Sequence, residues 1–195
     1  MDKTLLAISP GNGTFGASLW SGMTLVTANG WRRVNPSKRE AVDRRIQEMT
    51  EILHCFIGST VPDKVIIEYL PMAFIDRSLG FNERTNLPEI SIVENTLRSP
   101  GMSVKGHFKE DIAGYFSCSF PDSRIMFVYP KTWMNGESAA AVQYRVERLI
   151  RSGEIKTDGA IGISKRAYER RKALAAVALG WWGVNRARVE EMEAH

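Results

Sequence analysis

Apolar residues in this chain follow two different periods, and the switches between them lay out an α/β order. Thr4–Ser9 (TLLAIS) is a short apolar run closed by Pro10-Gly11-Asn12-Gly13. It predicts a buried strand followed by a tight turn. Thr14–Trp20 and Met23–Trp31 read as two further strands joined at Ser21-Gly22, which makes the opening a three-stranded meander. Ser37 then stands three residues before Glu40, the spacing of a capping box. Val42, Ile46, Met49, Leu53 and Phe56 follow at intervals of three and four, an amphipathic helix ending near Gly58. Lys64–Leu70 (KVIIEYL) is continuously apolar at Val65-Ile66-Ile67, as in a central strand covered on both faces.

The second half continues the alternation. Pro88–Leu97 predicts a helix stopped by Pro100-Gly101, and Lys109–Phe116 a short one. Arg124–Tyr129 reads as a strand stopped by Pro130. Ser138–Ile150 reads as a helix with Val142, Val146, Leu149 and Ile150 on one face, and Ser152–Gly162 as a polar loop. Ser164–Trp182 is a last helix, striped by Leu174, Val177, Ala178 and Trp181 and ended by Gly183. The expected architecture is a mixed β-sheet, an antiparallel meander followed by parallel strands, flanked by helices. Residues 1–183 form one domain in this reading, and 184–195 a polar tail.

Composition adds exclusions. With 195 residues, 44% hydrophobic and 25% charged, the chain has the make-up of an ordinary globular domain rather than a disordered or collagenous one. No apolar run reaches the ~18 residues of a membrane span. The N-terminal MDKTLLAIS lacks the apolar core of a signal peptide. Cys55 and Cys118 make neither a disulfide framework nor a zinc quartet. The expected location is intracellular, in the cytoplasm.

Charge changes the picture more. The formal net charge is +4. From Gln143 to Lys172, nine Lys/Arg face four acids, so this stretch carries +5 and the remainder −1. Arg145, Arg148, Arg151, Lys165, Arg166, Arg170 and Arg171 are the candidate nucleic-acid contacts, since a phosphate backbone is a dense line of negative charge. Solvated helix faces laced with ion pairs would produce the same pattern.

Glu68 is the first candidate for chemistry. A carboxylate inside an apolar strand must be paired, bind a metal, or lie at a strand end facing solvent. The loop Pro10-Gly11-Asn12-Gly13-Thr14 has glycines that admit close backbone approach, but no Walker lysine follows. His54, His107 and His195 lack metal-ligand spacing. Trp181-Trp182 reads as helix-end packing.

Four segments together resemble the RuvC-type Holliday junction resolvases of the ribonuclease H-like superfamily. LLAISPGNGTFGASLW (5–20) resembles that family's opening strand and hairpin, and KVIIEYLPMAF (64–74) its second acidic strand. YPKTWMN (129–135) resembles the segment leading into the late helices, and YERRKALAAVALGWW (168–182) the last helix. The resemblance implies a ribonuclease H-like fold, DNA as partner, a homodimer, and four carboxylates converging on two divalent metals. Carried over position by position, those acids fall on Ser9, Glu68, Glu169 and Lys172. Glu68 and Glu169 are then remnants of the catalytic set, while Ser9 removes a ligand and Lys172 places an ammonium where a cation would sit.

The expectation is a RuvC-like nucleic-acid-binding protein that takes no metal and lacks two-metal nuclease activity. One alternative is an active Mg²⁺-dependent endonuclease with rearranged ligands, Asp2, Asp63 or Asp76 replacing the lost ones. Another is a structural or assembly module on a retained nuclease fold.

Overall fold

The computed structural model describes residues 3–10, 14–32, 42–68, 92–94, 120, 122–128, 130–158, 161, 163–164 and 166–193. The expected helix start at Ser37, the helix at Lys109–Phe116, and Lys165 lie outside them.

The meander forms as its pattern requires. β1 (Thr4–Ser9), β2 (Thr14–Ser21) and β3 (Thr24–Arg32) pair antiparallel. The turn falls at Gly22-Met23, one residue later than expected, with Gly22 at φ 54°. β4 (Lys64–Glu68) joins β1 in parallel, and β6 (Arg124–Val128) joins β4 in parallel. Two strands lie at the edges. β5 (Ile92–Glu94) runs antiparallel to β6, and β7 (Lys156–Thr157) parallel to β3. The sheet has seven strands in the order β5-β6-β4-β1-β2-β3-β7.

The period-two pattern sorts side chains into two cores. Leu6, Ile8, Val65, Ile67, Ile125 and Phe127 point to one face. There they meet Leu53 and Ile57 of helix α1 (Val42–Ile57). Trp31 ties this layer together, stacked on Phe15 at 4.7 Å and edge-on to Phe56 at 5.2 Å. Leu5, Ala7, Trp20, Ile66, Met126 and Val128 point to the opposite face. They meet α2 (Pro130–Met134), α3 (Ala139–Arg151) and α4 (Ala167–Glu193). Ser138 caps α3 by accepting from the Ala141 amide. The result is a three-layer α/β/α arrangement.

Helix α4 crosses the sheet almost in contact with its backbone. Ser9, Gly16 and Gly30 lie side by side on β1, β2 and β3. A Cβ on Gly30 would stand 1.9 Å from the Glu169 carbonyl oxygen, and one on Gly16 2.0 Å from that of Lys172. Only residues without a side chain allow this approach. Further along, the buried Ser18 hydroxyl donates to the Ala176 carbonyl at 2.8 Å, and Trp20 Nε1 donates to Ser18.

Three expectations need correction. Pro88–Leu97 is not a helix throughout, since Ile92–Glu94 pairs with β6. The loop Ser152–Gly162 contains β7. The last helix does not stop at Gly183 but runs to Glu193. Gly183 is the contact point for Ile66, whose Cδ1 would lie 2.3 Å from an added Cβ, and Val184 is buried in the core. Among the described residues, no helix is long and apolar enough to cross a membrane.

Candidate functional site

β1 and β4 are parallel neighbours, so their C-terminal ends coincide. That is where open α/β sheets gather ligand sites. Ser9 is the last residue of β1 and Glu68 the last of β4. Period two puts Leu5, Ala7 and Ser9 on the face that carries Ile66 and Glu68. Both polar residues therefore face α4. Ser9 is fully buried and Glu68 only 9% exposed.

The burial is compensated by a chain of hydrogen bonds. The Ser9 hydroxyl donates to the Glu68 carboxylate. The Lys172 ammonium, delivered by the α4 turn that rests on Gly16, donates to Ser9 Oγ at 3.3 Å and to the Pro10 carbonyl at 2.8 Å. A cation, a hydroxyl and a carboxylate thus form one connected network at the strand ends. It faces a cleft of about 240 Å³ that Trp133, Gln143 and Arg171 also line.

Glu169 lies elsewhere. It stands one turn earlier on α4, over β3 rather than β2. Its carboxylate accepts from the Ser164 hydroxyl at 2.5 Å and from Arg166 at 3.4 Å. Three of the four positions drawn from the sequence therefore meet, and the fourth closes the N-terminal turn of α4. Asp63 sits at the start of β4, about five strand residues or ~16 Å from Glu68. There it accepts from the Thr4 amide and hydroxyl at 2.7 and 2.8 Å. These bonds to Thr4, the backbone one foremost, hold its carboxyl below the ordinary value of 3.8. It is a brace between strands, remote from the cleft.

Much of the basic stretch is paired internally. Arg145 bonds Glu137 at 3.0 Å. Arg151 and Arg170 share Glu147, at 3.4 and 2.9 Å. Arg171 lies 5.9 Å from the ring of the exposed Tyr168, which Arg32 covers from 4.8 Å. Arg148 is exposed in the last turn of α3 and has no ion pair among the described residues. The Pro10 carbonyl and Trp133 were not legible as site components, because backbone acceptors and aromatic cleft walls leave no spacing signature.

No protein-family model matches the chain, and no curated protein matches it in sequence. Solved structures do match. Thermus thermophilus RuvC aligns over 94% of this chain and 96% of its own, with TM-score 0.54 and 11% identity. The yeast mitochondrial Holliday junction resolvase aligns over 94% and 80%, with TM-score 0.54 and 10% identity. The fold is that of RuvC. The RuvC-like sheet, with β3-β2-β1-β4 at its centre, is the mixed ribonuclease H-like sheet expected from the sequence.

The resemblance to RuvC implies two divalent cations, and the donors that meet at this cleft among the described residues do not fit them. Mg²⁺ requires several oxygen ligands, mostly carboxylate. Ser9, Glu68 and Lys172 supply one carboxylate, one hydroxyl already committed to it, and an ammonium. A lysine ammonium has three donors and no lone pair, and it repels a cation.

Proposed function

We propose that this chain binds duplex or branched DNA on a RuvC fold and does not cleave it by a two-metal route. The observation that carries this reading is the Lys172 ammonium anchored on Ser9 and the Pro10 carbonyl, beside the buried Glu68. The cation occupies the electrostatic place of a metal. Exposed Arg148, Arg151, Arg166, Arg170 and Arg171 supply phosphate contacts, with Lys165 and Arg145 as further candidates. Contacts of this kind position a duplex without reading its sequence. Two copies would bind a two-fold junction as a homodimer.

The test is a filter-binding titration against salt, run with a cleavage assay. Junction, duplex and single-stranded DNA are presented at low salt, first in EDTA and then with Mg²⁺ or Mn²⁺. Retention that weakens steeply with salt, with intact strands under both metals, is the expected result. Metal-dependent nicking lost in Glu68→Gln would establish the active nuclease instead. A second reading is an assembly module in which the same exposed arginines of α3 and α4 bind an acidic protein partner. Co-purification of a protein that persists at high salt, without DNA affinity, would distinguish it.

A further inference from the structure

A second cleft, about 330 Å³, opens between α2, α3 and α4, lined by Trp133, Arg145, Trp181, Trp182, Asn185 and Arg186. Among the described residues, Trp133 alone lines both this cleft and the Ser9–Glu68 cleft. Three of the chain's five tryptophans meet here. Trp181 and Trp182 are half-buried, so each leaves part of its indole open. The Arg186 guanidinium carbon lies 5.5 Å from the Trp182 ring centroid, a cation over an aromatic face. Trp133 is 5% exposed, and its Nε1 is buried without a hydrogen-bond acceptor among the described residues. Such a group needs an explanation, and an acceptor on a ligand is one.

We infer that this cleft takes an unstacked nucleobase from a single-stranded segment, an inference that rests on the nucleic-acid reading above. The indole faces supply stacking surface, which every base can use. Asn185 donates its amide to the Trp181 carbonyl at 2.7 Å, leaving its own oxygen to accept from a base edge. Arg186, and Arg145 beside its partner Glu137, bring positive charge to the cleft for the attached phosphates. A purely apolar occupant would use neither guanidinium, so the mixed lining favours a base. The cleft adds strand-state selectivity: backbone contacts hold any duplex, whereas this pocket engages only a base that has left its stack.

The test uses the full chain and a single-stranded oligonucleotide carrying 2-aminopurine, beside a blunt duplex of equal length. Trp182→Ala is expected to weaken single-strand binding roughly 5- to 100-fold and to quench the probe less. Trp182→Phe should recover most of that loss, and duplex affinity should hold within about twofold. Arg186→Gln, at an exposed position, is expected to reduce single-strand affinity while duplex affinity holds within about twofold, a change of charge that leaves the Trp182 indole itself in place. Unchanged single-strand binding in both variants, with duplex or junction still bound, overturns the base pocket and spares the nucleic-acid reading. Single-strand binding that depends on Trp182, with no affinity for duplex or junction, supports the pocket and overturns the duplex or branched-DNA reading. No binding to any nucleic acid overturns both.

Discussion

Replacing Lys172 by methionine keeps an unbranched side chain on α4 and removes the ammonium. The structure sets the size of the effect. Two hydrogen bonds disappear, to Ser9 Oγ and to the Pro10 carbonyl. The buried Glu68 carboxylate keeps its Ser9 hydroxyl but loses the nearby cation. Removing one partner from a fully buried charge network costs about 3–5 kcal/mol. Lys172 is only half-buried, so solvent restores part of that and about 2–3 kcal/mol is expected. For a domain of this length the melting temperature should then fall by roughly 5–10 °C. The sharper readout is a double-mutant cycle with Glu68→Gln, followed by denaturant unfolding. Both residues act on the one Ser9 hydroxyl, so the double variant should be less destabilised than the sum of the singles, by about 1–3 kcal/mol. Additivity within about 0.5 kcal/mol would refute the idea that the three side chains act as a unit.

Other expectations follow from the same geometry. Gly16→Ala drives a Cβ to 2.0 Å from the Lys172 carbonyl oxygen, a backbone atom that cannot swing aside. Its denaturant midpoint should drop by the equivalent of about 3 kcal/mol or more. Asp63 is held below 3.8 by its bonds to Thr4, so its stabilisation is full above that value and fades as pH falls through the folded one. Asp63→Asn should therefore melt below the parent at pH 7, and the gap should narrow progressively in melts recorded as the pH is taken down from 3.8. Glu147→Gln releases Arg151 and Arg170. Stability should move by no more than about 1 kcal/mol, while DNA affinity rises and the log–log salt slope steepens by roughly one unit.

The central strands were legible because each face of β1, β4 and β6 is covered, so burial and sequence pattern agree residue by residue. The edges were not. β5 has three residues and β7 two, too few for a period to register. Gly183 misled because glycine signals two things, a helix stop and a close approach, and only the position of Ile66 tells them apart. At the site, the resemblance put Ser9, Glu68 and Lys172 together, and strand register and the helix crossing bring those side chains to one place. Glu169 was expected beside them because the resemblance puts a family acid at its position. The diagonal run of α4, with Glu169 over Gly30 and Lys172 over Gly16, separates the two, and no linear pattern encodes that angle. The charge excess was legible as a number, but its partial cancellation at Glu137 and Glu147 depends on helix packing.

The central claim is that a lysine stands in for the metals at a DNA-binding site. Its most direct measurement follows a labelled four-way junction with the wild-type chain, first in EDTA and then after Mg²⁺ or Mn²⁺ is added. The account predicts a salt-sensitive complex that forms without metal, is not strengthened by it, and leaves every strand intact. Junction binding that requires the metal, or strand scission that Glu68→Gln abolishes, would contradict it.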